Sequence, residues 1–385
     1  MRELLSDRNL DYQARARDVA ERVVRPNAAR WDREESYPFE VIEELKKERL
    51  TGVWIPEEYG GQGGSVLDLC LVVEQLSRAC GGVGVAYAVN ALGSFPILLQ
   101  GTEEQRKRWL PGIASGEKMV SFCLSEKEAG SDAGSLAARA EKKGGGYVVT
   151  GDKKWTTNAA VADLFTVFAV TDPERGARGI SAFVVDREMD GFEVGHLEEK
   201  MGIRCVPVNE THFKGVECGP DRLLGGREGT GFLGAMGTLD RARPGVAAQA
   251  VGLADGALDL AVKRAADRRQ FGQSIINFQG LQFMLADMAT QVEAARQLVY
   301  SAARAIDEGV KSPGKIAAMC KVFATDVAMR VTTDAVQVFG GYGYLRDYPI
   351  EKYMRDAKIT QIYEGTNQIQ RLVIGRALIR EAASG

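Results

Sequence analysis

Glu364 stands in the run Tyr363-Glu364-Gly365-Thr366-Asn367-Gln368-Ile369-Gln370-Arg371, where one carboxylate lies between an aromatic ring and several hydrogen-bonding side chains. A carboxylate in that setting is suited to general-base work. The preceding Met354-Arg355-Asp356-Ala357-Lys358-Ile359-Thr360 predicts a helix. Gly365 then brings the chain out of it and leaves Glu364 at an edge where it can face a ligand. Taken alone, a Glu-Gly pair at a helix end reads as a solvated terminus. Other segments with chemistry of their own accompany this one.

Phe122-Cys123-Leu124-Ser125-Glu126-Lys127-Glu128-Ala129-Gly130-Ser131-Asp132 and Lys154-Trp155-Thr156-Thr157-Asn158 precede it, as do Arg268-Arg269-Gln270-Phe271-Gly272 and Gln337-Val338-Phe339-Gly340-Gly341-Tyr342-Gly343. These five segments, in this order, resemble the motifs of the flavin-dependent acyl-CoA dehydrogenases, and the likeness extends in register over nearly the whole chain. One departure is Lys127, where the family more often has a Pro that would fix φ and stiffen the loop.

The resemblance implies FAD as cofactor and acyl-CoA as substrate. It implies that the loop of Phe122, Leu124, Ser125, Gly130 and Ser131 meets the flavin pyrimidine edge and the pyrophosphate, with Ser131 also near the CoA moiety. It has Trp155 stacking beside the isoalloxazine, with Thr156 next to it and Thr157 bonding near N5. Without it, a Trp here is more often core than cofactor platform. Arg268 and the Gly340-Gly341 turn offer a cation and backbone donors to a pyrophosphate. In the family these segments, with Gln270, Phe271, Phe278, Gln279, Gln337 and Val338, reach the FAD of a neighbouring subunit, and the assembly is a homotetramer, a dimer of dimers. Thr366 and Gln368 close the site around the same dinucleotide. Asp240 and Arg243 match positions that hold the CoA arm, and Tyr363 and Gly365 line the substrate. Without the resemblance, Asp240-Arg241-Ala242-Arg243 reads as an exposed helical turn.

The α proton of a thioester is weakly acidic, so a carboxylate removes it only when preorganised donors stabilise the developing enolate oxygen and the base is dry and well aimed. In the family those donors are the backbone N–H of the base and a flavin ribityl hydroxyl. Glu364 would take the α proton while a β hydride passes to flavin N5, giving a trans-2-enoyl-CoA, with the cofactor carrying the redox chemistry. An electron-transfer flavoprotein is the implied acceptor. Some relatives carry the base instead within the segment that Asp240 opens, but here that position is Ala242. Acyl-CoA oxidases and flavin monooxygenases share the fold. Glu364 argues against the monooxygenase and the short chain against the longer oxidases. A non-catalytic scaffold would have lost the base or the flavin contacts.

With 385 residues, 45% hydrophobic and 26% charged, the chain can bury one large core or two to three cooperating domains. A net charge of -3 with no block of like charge argues against nucleic acid as a partner. Six scattered cysteines without a CxxC pair and two histidines, His196 and His212, argue against a zinc site, a disulfide framework or a di-iron bundle, so no metal is expected. The start does not resemble a signal peptide and no apolar run is expected to reach membrane-spanning length, which points to cytoplasm, or an organelle matrix after processing.

Three regions follow: helices to about 118, short alternating strands over about 119–228, and helices again over 229–385. Tyr147-Val148-Val149-Thr150 reads as a strand with a hairpin turn at Gly151-Asp152, and Leu164 to Val170 as another strand. Leu281, Met284, Leu285, Met288, Val292, Ala295, Val299 and Ala302 share one helical face ending near Gly309, and Ser312-Pro313 opens the next helix, which runs to Gly340. The fold class is α+β. The resemblance supplies the rest, an N-terminal helical domain, a central β-barrel-like domain and a C-terminal four-helix bundle.

Gly229-Thr230-Gly231-Phe232-Leu233-Gly234 imitates a dinucleotide fingerprint, but its partner acid, Asp255, falls in an Ala-rich helical run instead of at a strand end. Gly309 to Ile316 imitates a P-loop, but Ile316 replaces the magnesium-binding hydroxyl and a helix precedes it. The stretch Gly84 to Pro96, which resembles the acyl-pocket segment of the family, has no charged residue. Glutaryl-CoA dehydrogenases place an Arg there.

Overall fold

The computed structural model of the chain describes residues 5–384, so the first four residues of the N-terminal region and Gly385 lie outside the description. Helices α1 (Asp7–Val19), α2 (Arg25–Glu34), α3 (Phe39–Lys47), α4 (Val66–Ala79), α5 (Gly81–Gln100) and α6 (Glu103–Ser115) come first. Ser65 and Thr102 cap α4 and α6 in reciprocal boxes with Asp68 and Gln105, satisfying donors that a helix start leaves free. Strands β1 (Val120–Cys123), β2 (Arg139–Lys143), β3 (Gly146–Thr157), β4 (Leu164–Val170), β5 (Ile180–Asp186), β6 (Phe192–Leu197) and β7 (Val208–Cys218) form one sheet of order β1-β4-β2-β3-β7-β6, with β5 also on β4. The sheet stays open, with β6 at one end, so the central domain is a half-barrel.

β4 is buried along its whole length because it works two cores at once. Leu164, Phe168 and Val170 pack into the helical core, while Phe165, Val167 and Ala169 form a second core with Phe183, Phe192 and Phe213. The period of two thus ties the sheet to the helices behind it.

The long helix α7 (Gly231–Asp267) packs against α4, α5, α8 (Gln279–Asp307) and α9 (Gly314–Phe339). α10 (Ile350–Thr360) crosses against α7 and α9, and α11 (Asn367–Ser384) lies on α9. A short hairpin of β8 (Arg269–Gln270) and β9 (Gln273–Ser274) links α7 to α8. Leu285, Met288, Val292, Ala295, Val299 and Ala302 are buried on α8, with Leu281 and Met284 half-buried at its start. Gly231 opens α7, and Asp255 sits mid-helix bonded by Arg78 at 2.8 Å, so neither dinucleotide signal lies in a βαβ unit. Residues 308–313 join α8 to α9 and 314–316 open α9, so the P-loop imitation is a helix connection.

Three expectations need correction. The β2–β3 turn is at Gly144-Gly145, both with positive φ, and β3 runs on through Gly151-Asp152. Gly151 is instead a close-approach position: a Cβ there would stand 2.7 Å from the Cα of Ala138, beside a register shift at Val149/Thr150. Ser312 does not cap α9, whose N-cap is Pro313 without a side-chain bond. And α5, with 20 residues, is long and apolar enough to cross a membrane by length and composition, as is part of α7, yet 72% of each apolar window is buried inside this molecule.

Candidate active site

α10 ends at Thr360, and the chain reverses through Tyr363 N–H to Ile359 O (3.1 Å) and Asn367 N–H to Gln361 O (3.0 Å) before α11 begins. Glu364 (φ 52°) and Gly365 (φ 90°) are both left-handed at the apex. For Glu that conformation costs about 1–3 kcal/mol and persists only where the surroundings over-determine it. Here they do: Gln370 Nε2 donates to Gly365 O at 2.8 Å and Glu364 O at 3.2 Å, and Lys321 Nζ donates to Gly365 O at 2.8 Å.

The Glu364 carboxyl is the unusual group of this turn. The residue is half-buried, yet Oε2 is sealed from solvent without a hydrogen-bond partner. Burial raises its pKa to about 7, against the pull of the Arg243 and Lys321 cations. A carboxylate held dry, with its basicity raised by burial, is able to accept a proton from a weakly acidic carbon.

Arg243 is 4% exposed, not the exposed helical turn that its sequence suggests without the resemblance. It bonds Asp240 Oδ1 at 2.7 Å, its Nε has no partner, and a Cβ at Gly365 would stand 3.8 Å from its Nη2. Pro244, lacking an N–H, interrupts the helical ladder just after it. Tyr363 OH bonds Gln249 of α7, which fixes the ring beside the base.

Trp155 is 51% exposed with φ 57°. Between Lys153 and Thr156 the β3–β7 register shifts, and this bulge turns the indole out of the sheet. A Cβ on Gly130 would stand 4.0 Å from its Cζ3, so the loop from Phe122 passes close to the ring. Ser125 is half-buried and Ser131 exposed there, while Leu124 is buried and Phe122 packs on Phe168 at 5.0 Å. Thr157 is half-buried and its carbonyl accepts from Ser121 Oγ at 2.8 Å. The Thr156 side chain faces the interior, 3.1 Å from Thr211 Oγ1, and leaves only its backbone for a ligand. The loop is stiffened without a Pro at 127: buried Glu126 accepts from Ala137 N (2.6 Å), Ala138 N (3.0 Å) and buried Lys153 Nζ (2.7 Å).

Arg268, Gln270, Val338, Gly340 and Gly341, from segments some seventy residues apart in sequence, line one cleft of about 350 Å³. The Arg268 guanidinium lies 5.6 Å from the Tyr342 ring centre. Phe271, 91% exposed at the β8–β9 tip, stands edge-on to Phe278 at 6.0 Å; Gln279 and Gln337 are exposed nearby in sequence, outside the cleft lining. Thr366 is half-buried, its Oγ1 accepting from Ile369 N, and Gln368 is exposed.

Residues 6–117, 121–216 and 229–379 match the N-terminal, middle and C-terminal domains of acyl-CoA dehydrogenases. The chain belongs to that family. It is 49% identical over 376 residues to the probable acyl-CoA dehydrogenase FadE25 of Mycobacterium tuberculosis, covering 98% of this chain and 96% of that protein. Butyryl-CoA dehydrogenase from Megasphaera elsdenii superposes with a TM-score of 0.95 at 43% identity, over 97% of this chain and 99% of that one. A chain of the solved structure reported for the electron transferring flavoprotein of Acidaminococcus fermentans does so with a TM-score of 0.95 at 47% identity, over 98% and 99%. The enzyme is an oxidoreductase acting on acyl-CoA, and the family's cofactor is FAD.

Sequence reasoning missed Lys321 and the Glu126–Lys153 pair. Lys321 had a signal: it interrupts the apolar face Ala317, Ala318, Cys320, Ala324, Ala328 of α9, where a lysine demands a partner.

Proposed function

We propose that this acyl-CoA dehydrogenase acts on short- to medium-chain acyl groups, straight or branched, with Glu364 as the base that removes the α proton to give a trans-2-enoyl-CoA. The observation that carries this is the sealed, unpartnered Glu364 Oε2 with its pKa raised to about 7 beside Arg243. The chemistry that FAD would supply here is that of a hydride acceptor for the β hydrogen. The residues fit it: the outward-turned Trp155 offers an aromatic platform beside the Gly130 loop, and the Arg268 and Gly340-Gly341 cleft offers a cation and open backbone for phosphate. The exposed Phe271 supports a second subunit, or its cofactor, covering this end of the bundle, in the manner of a homotetramer. The Acidaminococcus structure supports an electron-transfer flavoprotein as acceptor.

The charge of buried Arg243 lowers the pKa of the base against the upward push of burial, and Tyr363 is held beside it by Gln249. Because the carboxylate form is the active one, single-turnover flavin reduction under anaerobic conditions should rise with pH through about 7 and level off above. A rate flat from about pH 5 to about pH 9 would contradict a base of raised pKa.

The acyl group carries no terminal carboxylate, since Gly84 to Pro96 on α5 offers no cation and a buried unpaired carboxylate is costly. Across a panel of acyl-CoAs scored by anaerobic flavin bleaching, butyryl- and hexanoyl-CoA should exceed glutaryl-CoA in kcat/KM by about 10-fold or more. Glutaryl-CoA as the better substrate would refute the pocket assignment, and no bleaching by any acyl-CoA would refute the function.

A further inference from the structure

Lys321 of α9 is wholly buried, and its ammonium is committed to the turn that carries Glu364. Nζ donates to Gly365 O at 2.8 Å and to Asn367 Oδ1 at 2.9 Å, so it ties α9 to both the apex of the turn and the first residue of α11. Asn367 is itself held: its Nδ2 donates to Thr325 Oγ1 at 2.9 Å and Asp326 Oδ1 at 2.8 Å. Asp326 accepts further bonds from Gln361 Nε2 and Arg371 Nη2, each at 2.7 Å. The clamp therefore runs from a surface ion pair to the backbone carbonyl next to the base.

A buried ammonium is costly unless paired, and a neutral donor would serve a merely structural cross-link at less cost. A cation here has an electrostatic use. The charged groups around it are Glu364 on the turn, Arg243 with Asp240 on α7, and Asp326 on its own helix, with the Cys320 thiol adjacent. Glu364 is the anion without a hydrogen bond in this set, since Asp240 is taken by Arg243 and Asp326 by Arg371, Gln361 and Asn367.

We propose that Lys321 is a positioning residue for the base, holding the Glu364–Gly365 turn in its left-handed conformation through Gly365 O and Asn367 Oδ1 while its protonated form favours ionisation of the Glu364 carboxylate. This rests on Glu364 being the base. The electrostatics agree in sign. Burial and Arg243 pull the Lys321 pKa down to about 7 while Glu364 and Asp326 pull it up, and Lys321 in turn lowers that of Glu364. Removing the charge raises the Glu364 pKa further and moves the acid limb of the reaction to higher pH.

The test is single-turnover flavin reduction by butyryl-CoA against pH in the holoenzyme, for Lys321→Met, Lys321→Gln and Glu364→Gln. Binding of tert-butylacetyl-CoA, which has no β hydrogen to give up, is measured beside it. Lys321→Met should lower the rate at pH 7 by roughly 10- to 100-fold, through misaim and lost charge together, and shift the acid limb upward by about one pH unit. Affinity for tert-butylacetyl-CoA should stay within about 3-fold, because the lysine touches the turn and not the ligand. Lys321→Gln keeps a donor in the cavity, so it should show the same limb shift with a smaller loss of plateau rate, and it carries the test should the Met variant fail to fold. An acid limb unchanged in Lys321→Gln, beside an inactive Glu364→Gln, would overturn this proposal alone. Full activity in Glu364→Gln would overturn the base assignment and this proposal with it.

Discussion

Glu364→Gln should stay yellow, bind acyl-CoA as the wild type does, and lose nearly all flavin reduction by substrate. The amide keeps the shape of the side chain but cannot accept a proton, and general-base catalysis alone is worth roughly 10²- to 10⁴-fold. The loss should reach the upper end of that range, since the β hydrogen can leave as hydride only as the α proton departs. No other group in the turn can substitute. Tyr363 OH is engaged with Gln249, and its pKa is raised well above the usual phenol range, mainly by burial. Lys321 Nζ is held by Gly365 O and Asn367 Oδ1. The resemblance places an alternative base at Ala242, which is buried on α7, so adding Ala242→Glu to this mutant should restore part of the activity. A double mutant that binds acyl-CoA normally yet recovers nothing would contradict that placement.

Why the base was legible in sequence while its support was not comes down to range. Tyr363, Glu364 and Gly365 are contiguous, and a Gly after a helix is a local signal. Arg243 and Lys321 reach the turn from 121 and 43 positions away, and only the packing of α7 and α9 brings them there. The period-3.6 face of α8 was readable because it needs nothing beyond its own helix. The β2–β3 turn lies at a second glycine site that the sequence reading does not take up. Gly144-Gly145 carries the positive φ pair that a two-residue hairpin requires, whereas Gly151 is small because Ala138 presses against it, a contact invisible in one dimension. Likewise α5 reads as long and apolar, and only the structure shows that its surface is spent on α4, α7 and β1.

Arg268→Ala should lose FAD and quaternary assembly together. Its guanidinium lines the cleft with Gly340 and Gly341 and stacks over Tyr342, at the end of the helical domain where Phe271 is exposed. A hydrogen bond from a cation to phosphate contributes about 1.5–3 kcal/mol, so retention of FAD should weaken by roughly 10- to 100-fold. If the dinucleotide bridges two subunits, its loss loosens their contact by mass action. Gel filtration with flavin quantitation, with and without added FAD, reads both effects in one experiment. A variant with full flavin and an oligomeric state indifferent to FAD would make Arg268 a surface residue stacked on Tyr342 and nothing more.

The central claim, that Glu364 takes a proton from the α carbon of an acyl-CoA, is tested most directly by isotope exchange uncoupled from flavin reduction. Tert-butylacetyl-CoA has α protons but no β hydrogen, so the enzyme can enolise it and go no further. In deuterated buffer, proton NMR should show the α signal of this thioester disappearing with wild-type holoenzyme and persisting with Glu364→Gln at equal occupancy of the site. Exchange at the wild-type rate in Glu364→Gln would contradict the account.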